Sequence, residues 1–544
     1  MISRSYVTIT FGLAMLLTAA VFAKLYHMHM ILARQVSFLS ADQKPILAHK
    51  QDDLICVGDS TNQSWPVLQG KIKDTVVQIF SQLAEIDILQ PYKTPSQGQG
   101  FGSGFFINDR GEIITNAHVV ANAKSVWIQV PSLGKRIIDV EVVGVCPERD
   151  LALLRVKAEG YELIYKTLGK IPFLSLGDSD KVFRSDELLA IGYPLAQHSL
   201  KCTTGVVSGR EAIGGQHYIQ MSAPINPGSS GGPSLNHRGE VIGVNSASIN
   251  GAQNVNYIIP INELKIILDD LRKVKLLRRP FLGIVPVSGS EALAEYLGNP
   301  APGGVYVVET YKKSLLENAG VRTGDMIYEI DGYTVDVYGE MSVPWSEDKI
   351  TISDYVSRLK LGQQVTIILY RQGQKKTISV KFGFAELLPV HMIYPDYEGI
   401  DYEVIAGMVL TPVTLNHVAA LATHMPSLLK YTETKEQLEP ALLLTHLFPD
   451  SQAHRSRAMG IGFIITEVNG KEVKTLKDLR SALLAGKHDE YLTFKTSNNI
   501  FIAFPRKQTL QEERRFARDY HYPISSTMKE LLQTLDESNK EVKQ

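Results

Sequence analysis

Cysteine is scarce in this chain: Cys56, Cys146 and Cys202 are the only three among 544 residues. Because their number is odd and no two are spaced as C-x-x-C, the sequence argues against a disulfide scaffold and against a structural zinc site. Neither sign of charge is in excess, since 56 Lys and Arg residues oppose 57 Asp and Glu residues. A chain without a basic field has no general affinity for nucleic acid, so we expect no nucleic-acid partner.

Long hydrophobic runs are also scarce, and the clearest one lies near the N-terminus. Arg4 precedes a largely apolar, uncharged run from Val7 to Ala23, and Lys24 follows it. This pattern predicts that residues 1–35 are either a secretory signal peptide or an uncleaved membrane anchor. Both interpretations place the rest of the chain outside the cytosol, in the periplasm or on the extracytoplasmic face of a membrane.

Residues 36–73 show no clear hydrophobic period and are predicted to be a linker. From Val76 onward, short apolar segments rich in β-branched residues are separated by turn residues, for instance Asn108 to Gly111 between two predicted strands. Many short strands at this spacing favour a sandwich or barrels over a βαβ fold. The glycine-rich run from Gly98 to Gly104 lacks a phosphate-loop pattern, and we interpret it as a flexible strand entry.

Three stretches of this β-rich region carry candidate chemistry. His118 ends an apolar strand, and Asp150 precedes the hydrophobic strand that begins at Leu151. Ser230 stands in the run Asn226 to Pro233, where glycines let successive N–H groups converge on one point. A lone histidine or a lone glycine-rich turn is usually structural, but the order His, Asp, Ser within one β-rich segment indicates nucleophilic catalysis.

These motifs resemble those of the HtrA/Deg family of serine proteases with PDZ domains. The resemblance covers residues 74–272 and implies a mostly β, chymotrypsin-like double β-barrel protease domain. It implies a catalytic triad of His118, Asp150 and Ser230, and an oxyanion hole formed by the N–H groups of Gly228 and Ser230. Such a site requires no metal and no cofactor. Ser229 stands where the family usually has Asn.

The same resemblance locates the primary specificity pocket. In this fold its base lies six residues before the nucleophile, at Pro224, beside Ile225, and the strand around Ser246 forms a wall. No acidic residue stands at these positions. We therefore expect cleavage after small or medium aliphatic residues.

An amphipathic helix over Glu263 to Leu271 is predicted to end the protease domain. Residues 280–385 then resemble a PDZ domain, an α+β, partly open barrel. Its loop Phe281, Leu282, Gly283 and Ile284 matches the family's peptide-carboxylate loop, and the next strand edge is expected to pair with C-terminal peptides.

Residues 395–508 resemble a second, diverged PDZ domain. A protease domain followed by two PDZ domains is similar to the domain order of the plant-type Deg proteases. Its first strand departs from the usual carboxylate loop. Residues 509–544 mix both signs of charge and are predicted to form a solvated, helical tail.

Together these features predict a serine endopeptidase that degrades unfolded or damaged proteins and forms a homotrimer or a higher oligomer. Two alternatives remain open on the sequence alone. One is a chaperone or holdase with an inactive protease site, and the other is a peptide-binding scaffold that uses its PDZ edges.

Overall fold

The computed structural model describes residues 64–197, 199–248, 255–279, 283–383 and 387–541. The predicted signal peptide or anchor, the linker up to residue 63, and the carboxylate-loop residues Phe281 and Leu282 lie outside the described residues. Among the residues described, no helix combines the length and apolar character needed to cross a membrane.

The end of the predicted linker is helical, which corrects the prediction for residues 36–73. Helix α1 (Trp65–Ile72) begins with Pro66 in its first turn. Leu68 and Ile72, four residues apart, are 3% and 4% exposed and pack into the core that the two barrels share. A helix of two turns is too short to show a period in the sequence, so only its packing reveals it.

The first barrel closes through six antiparallel strands in the order β1-β2-β3-β6-β5-β4. The strands and the one-turn helix between them are β1 (Val76–Glu85), β2 (Ser96–Phe106), β3 (Glu112–Thr115), α2 (Ala117–Val120), β4 (Ala123–Gln129), β5 (Ile138–Cys146) and β6 (Leu151–Val156). The predicted turn between β2 and β3 is confirmed, because the Asn108 side chain accepts from the N–H groups of Arg110 and Glu112 at 3.0 and 3.3 Å.

Helix α3 (Ala158–Leu168) leads to a second closed barrel with the order β10-β11-β12-β9-β8-β7. Its strands are β7 (Glu187–Gly192), β8 (Lys201–Ile213), β9 (Gln216–Met221), β10 (Pro233–Leu235), β11 (Val241–Ser248) and β12 (Asn256–Pro260). The predicted closing helix is confirmed as α4 (Ile261–Leu271). One apolar cluster contains residues from both barrels, α1 and α4, so the seam between the barrels is itself a core.

The next unit is an antiparallel sheet in the order β13-β14-β15-β19-β20, with β16 paired to β15 and a separate β17-β18 ladder. Its elements are β13 (Ile284–Val287), α5 (Glu291–Tyr296), β14 (Val305–Thr310), α6 (Leu315–Ala319), β15 (Met326–Ile330), β16 (Tyr333–Thr334), β17 (Glu340–Met341), β18 (Ile350–Thr351), α7 (Ile352–Ser357), β19 (Gln364–Arg371) and β20 (Gln374–Lys381). We call it the first PDZ unit.

The first PDZ unit is fixed to the protease barrels through α7. Arg149, which is 2% exposed, donates to Glu263 of α4 and to the main-chain oxygen of Ser357 at the end of α7. Arg358 donates to the Asp180 carboxylate at 2.7 Å. These buried and half-buried polar contacts therefore hold α7 against the barrels.

The second PDZ unit has the sheet order β21-β22-β23-β24-β26-β27, with β25 paired to β24. Its elements are β21 (Glu403–Ile405), β22 (Met408–Pro412), α8 (Leu415–Leu421), α9 (Thr434–Gln437), β23 (Leu442–Leu447), α10 (Gln452–Ser456), β24 (Ile464–Val468), β25 (Lys471–Glu472), α11 (Leu476–Ala485), β26 (Tyr491–Thr496) and β27 (Phe501–Pro505).

The tail predicted over residues 509–544 is helical in its described part, as expected, but the prediction that it is solvated was wrong. The chain continues as α12 (Arg506–Asp519) and α13 (Ser526–Glu541), and both helices pack into the core of the second PDZ unit. Met528, Leu531, Leu532 and Leu535 are at most 5% exposed. Their spacing of three and four residues builds an apolar stripe, which the charged residues around it obscure.

Replacing Leu531 with Ala is expected to lower the free energy of unfolding of the C-terminal unit by about 2 to 5 kcal/mol, because the side chain is fully buried. Gln533→Ala, at an exposed position of the same helix, is the matched control and should change it by less than about 0.5 kcal/mol. Urea unfolding of both variants measures this. Equal stability of the two variants would contradict a packed C-terminal helix.

Candidate active site

His118 lies on the one-turn helix that directly follows β3. The other residues of α2 are buried against the first barrel, whereas the His118 side chain keeps 52% of its surface exposed. The turn is fixed from the preceding residue, because the side-chain amide of Asn116 donates to the main-chain oxygen of Asp150 at 2.9 Å. Local apolar packing therefore presents an imidazole at the barrel surface.

Asp150 stands between a short 3-10 turn, Pro147–Arg149, and the buried strand β6. Its Oδ1 accepts from the main-chain N–H of His118 at 3.0 Å, and both carboxylate oxygens lie 2.9 Å from His118 Nδ1. From the second barrel, the Ser246 hydroxyl donates to Oδ2 at 3.0 Å. These donors compensate the desolvation of a carboxylate at the mouth of an apolar strand.

The electrostatics of this pair favour a basic imidazole. Burial lowers the pKa of His118, but the hydrogen bond and the negative charge of Asp150 raise it by more, so the pKa lies above its ordinary value of 6.5. The bond to the carboxylate assigns the proton of the neutral ring to Nδ1, which leaves Nε2 as the acceptor. The arrangement is that of a general base and the group that orients it.

Ser230 is held in a tight turn that requires glycine. Gly231 has a φ of 84°, and a Cβ atom there would lie 2.2 Å from the main-chain oxygen of Ser103. Its N–H donates to the oxygen of Asn245 at 2.8 Å and so closes the turn against β11. Within the described residues, the N–H groups of Gly228 and Ser230 donate to no protein acceptor. Both are therefore available to an oxyanion.

The Ser230 hydroxyl donates to the main-chain oxygen of Ser246 at 3.0 Å. In the described part of the chain, no hydrogen bond joins it to His118. The Ser246 hydroxyl at the same time donates to Asp150, so one residue of β11 contacts both the Asp150 carboxylate and the Ser230 hydroxyl.

Ser103 of β2 connects the turn that holds Ser230 to the first barrel. The sequence pattern did not identify Ser103 as a residue of the site. Its hydroxyl donates to the oxygen of Gly228 at 2.7 Å and accepts from the N–H of Tyr193 at 2.9 Å. Its own N–H donates to the oxygen of Ser230 at 2.8 Å. The glycine-rich run from Gly98 to Gly104 is thus part of β2 and pairs with β1 along its length, which corrects its interpretation as a flexible entry.

The two PDZ units share one loop geometry. Gly283 and Gly407 have φ values of 74° and 77°, and a Cβ atom would lie 1.9 Å from Ser314 or 2.0 Å from Ser451 respectively. In each unit the strand that follows, β13 or β22, begins next to this glycine. Gly283 and Ile284 of the predicted carboxylate loop are therefore at the position where that loop turns into the strand.

The outer edges of these two strands differ. Within the described residues β13 pairs with β14 alone, which leaves its other edge open. The outer edge of β22 pairs with β21 through Glu403 with Leu410, Val404 with Val409 and Ile405 with Met408. The chain itself therefore occupies, in the second unit, the edge that a bound peptide would need.

Comparison with known proteins gives matches to two family models, the trypsin-like peptidase domain over residues 102–244 and the PDZ domain over residues 396–528. A probable periplasmic serine endoprotease, DegP-like, from Hahella chejuensis is 27% identical over 458 residues, covering 82% of this chain and 88% of that protein. A protein of the same description from Marinomonas sp. is 32% identical over 295 residues, covering 53% and 58%.

The chain belongs to the HtrA/Deg family.

It is a serine endopeptidase with a chymotrypsin-like double barrel and a PDZ domain, and its substrates are polypeptides. Among solved structures, the HtrA-type protease AlgW with a decapeptide is 24% identical with a TM-score of 0.46, covering 59% of this chain and 99% of that one. The PDZ match extends to residue 528, beyond the boundary predicted at residue 508.

In this HtrA/Deg chain the predicted pocket residues do not share one role. Pro224 is exposed, and its main-chain oxygen accepts from the Thr203 hydroxyl at 3.2 Å. The Ile225 side chain is 7% exposed and packs in the core of the second barrel. The Ser246 hydroxyl donates to Asp150, and its role as a wall of the pocket stays a prediction. Sequence spacing locates a strand but cannot say which way a bulged residue points.

The pKa of His118 can be followed by NMR titration of its ring in a Ser230→Ala background. We expect a value above 6.5 that falls when Asp150→Asn removes the neighbouring charge. Since catalysis needs the neutral ring, kcat/KM of the parent enzyme should rise as pH increases through that value. His417 is the internal control, because burial lowers its pKa to about 4 without a contribution from Asp150. An unchanged His118 titration in Asp150→Asn would contradict the pairing.

Proposed function

We propose that the chain hydrolyses peptide bonds of unfolded or damaged proteins through His118, Asp150 and Ser230. The observation that carries the proposal is the fixed Asp150–His118 pair, which directs Nε2 away from the carboxylate, next to a serine held in a glycine turn with two unpaired N–H groups.

In the proposed mechanism, the imidazole Nε2 accepts the proton of Ser230 as its Oγ attacks the substrate carbonyl. Asp150 keeps the ring in the required tautomer and stabilises the imidazolium that forms. The N–H groups of Gly228 and Ser230 bind the developing oxyanion, each contributing on the order of 3 kcal/mol. The protonated His118 then gives its proton to the leaving amine, and water repeats the sequence on the acyl-enzyme.

The first PDZ unit is proposed as the site for C-terminal peptides. Its open β13 edge supplies main-chain donors and acceptors, and the loop ending in Gly283 and Ile284 precedes that edge. The second unit is proposed to serve assembly, because β21 already fills its equivalent edge. We further propose that the chain forms a homotrimer or a higher oligomer. We also propose that it lies outside the cytosol, which is supported by relatives described as periplasmic.

Replacing Ser230 with Ala is expected to abolish labelling by a fluorophosphonate probe and to stop casein breakdown, because it removes the hydroxyl proposed as the nucleophile. Ser229→Ala is the matched control, since it changes the adjacent serine and leaves the nucleophile in place. Both readouts use the chain from residue 36 onward. A fully folded parent that is never labelled, even with C-terminal peptides present, would favour the chaperone function.

The casein products also test the pocket. Mass spectrometry of the parent digest should show cleavage after small or medium aliphatic residues. Preferred cleavage after Lys or Arg would contradict the uncharged pocket proposed at Pro224 and Ile225.

Binding of a peptide with a free C-terminal carboxylate should weaken at least 10-fold in Gly283→Ala, because the new Cβ atom would collide with Ser314 and distort the loop. Gly407→Ala creates the same collision, with Ser451, in the unit whose edge is already paired, and should leave the affinity unchanged. Fluorescence anisotropy with the free and the amidated peptide measures both. Equal weakening by the two variants would contradict a role confined to the first unit.

A further inference from the structure

A segment between the two PDZ units lies directly against the catalytic face of the first barrel. Residues 393–398, which we call the interdomain strap, form a turn in which the N–H groups of Tyr397 and Glu398 donate to the oxygen of Tyr394 at 2.9 Å. The strap and the barrel enclose a cleft of about 300 Å³. One of its walls contains His118 and Asp150.

The strap is anchored at several points. Arg278 donates to Glu398 at 2.6 Å and lies over the Tyr394 ring at 4.9 Å from its centroid. Asn416 of the second PDZ unit exchanges two hydrogen bonds with the main chain of Ile393, at 2.8 and 3.0 Å. These contacts preform the cleft, so no ordering of the strap is needed when it is filled.

A further contact joins the strap to the barrel itself. Asp396 accepts from Lys124 at 3.3 Å, and Tyr397 packs against the apolar core of the first barrel. The charge of Asp396 is thereby paired within the protein. The strap thus behaves as a fixed wall of the protease domain, although it lies more than 240 residues after His118 in the sequence.

The lining of the cleft is mainly apolar. Val145 and Pro147 contribute from the barrel, and Ile393, Tyr394 and Tyr397 contribute from the strap. The two carboxylates that border it, Asp150 and Asp396, already have partners in His118 and Lys124. A cleft with aliphatic and aromatic walls and paired charges suits an uncharged, apolar side chain.

The position of the cleft identifies its occupant. In the proposed mechanism His118 accepts the proton of Ser230 while Ser230 attacks the carbonyl, so the attacked residue lies beside His118. The adjacent residue of an extended substrate follows about 3.3 Å along the chain. Strand β11, predicted to wall the pocket for the residue after which the enzyme cleaves, contacts Asp150 through Ser246. A substrate that follows β11 on the amino side of the scissile bond therefore passes the cleft.

We propose that the interdomain strap builds a specificity pocket for an apolar substrate side chain, that of the residue immediately before the one whose carbonyl is attacked. Tyr394 and Tyr397 are its specificity-determining residues. The inference rests on the proposed role of His118 and Ser230, and it makes substrate preference depend on a segment outside the two barrels.

The test profiles cleavage sites in a proteome-derived peptide library by mass spectrometry, with the whole chain from residue 36 onward. The parent should favour apolar over small polar residues at this one position. Tyr394→Ala removes an aromatic wall and should reduce that preference roughly 10-fold, with preferences at other positions retained. Ala121→Phe projects a ring into the cleft from the barrel side and should instead favour glycine and alanine there.

Tyr165→Ala is the matched control, since it removes a tyrosine of α3 that is 54% exposed and does not line the cleft. It should reproduce the parent profile. A uniform loss of cleavage in Tyr394→Ala would overturn the proposal in favour of a structural role, and a uniform gain would overturn it in favour of an obstructing lid. A shift at a different position would also overturn it.

The result separates the inference from the proposed function. A parent that neither cleaves peptides nor reacts with the fluorophosphonate probe refutes the assigned catalytic residues. A parent that cleaves with the same preferences as Tyr394→Ala and Ala121→Phe refutes the pocket alone.

Discussion

The structure depends on the desolvation of two adjacent charged residues at the seam between the barrels. Asp150 is compensated by His118 from its own barrel and by Ser246 from the other one. Arg149, one residue earlier, is compensated by Glu263 of α4 and by the end of α7 in the first PDZ unit. Because neither charge tolerates burial without its partners, this short stretch fixes the barrels, the closing helix and the PDZ unit relative to the candidate active site.

The turn that holds Ser230 is likewise fixed by a small number of contacts. Ser103 bonds both sides of Ser230, through the oxygens of Gly228 and of Ser230 itself, and Ser246 accepts from the Ser230 hydroxyl. The backbone of the turn is therefore rigid, while the hydroxyl has an alternative partner to the imidazole.

The two PDZ units illustrate how one local geometry supports different uses. Gly283 and Gly407 occupy the same left-handed position against a serine. Among the described residues, however, a further strand covers the edge only in the second unit, where β21 pairs with β22. Pairing that edge internally removes a peptide site and also protects an exposed strand from unwanted association. The interdomain strap lies shortly before β21 in the chain, so two neighbouring segments respectively line a cleft beside His118 and pair with the β22 edge.

The sequence by itself determined the class of the fold and predicted the residues of the proposed triad, because both depend on local patterns: short alternating strands, a histidine after an apolar strand, and glycines around one serine. It also contained the stripe at Met528, Leu531, Leu532 and Leu535, which the surrounding charges obscured. Only the tertiary structure decided the direction of the Ser246 side chain, the role of Ser103, the occupied edge of β22 and the placement of the strap. Each of these features depends on contacts between residues far apart in the chain. Such contacts arise from packing between units, and a local hydrophobic period carries no information about them.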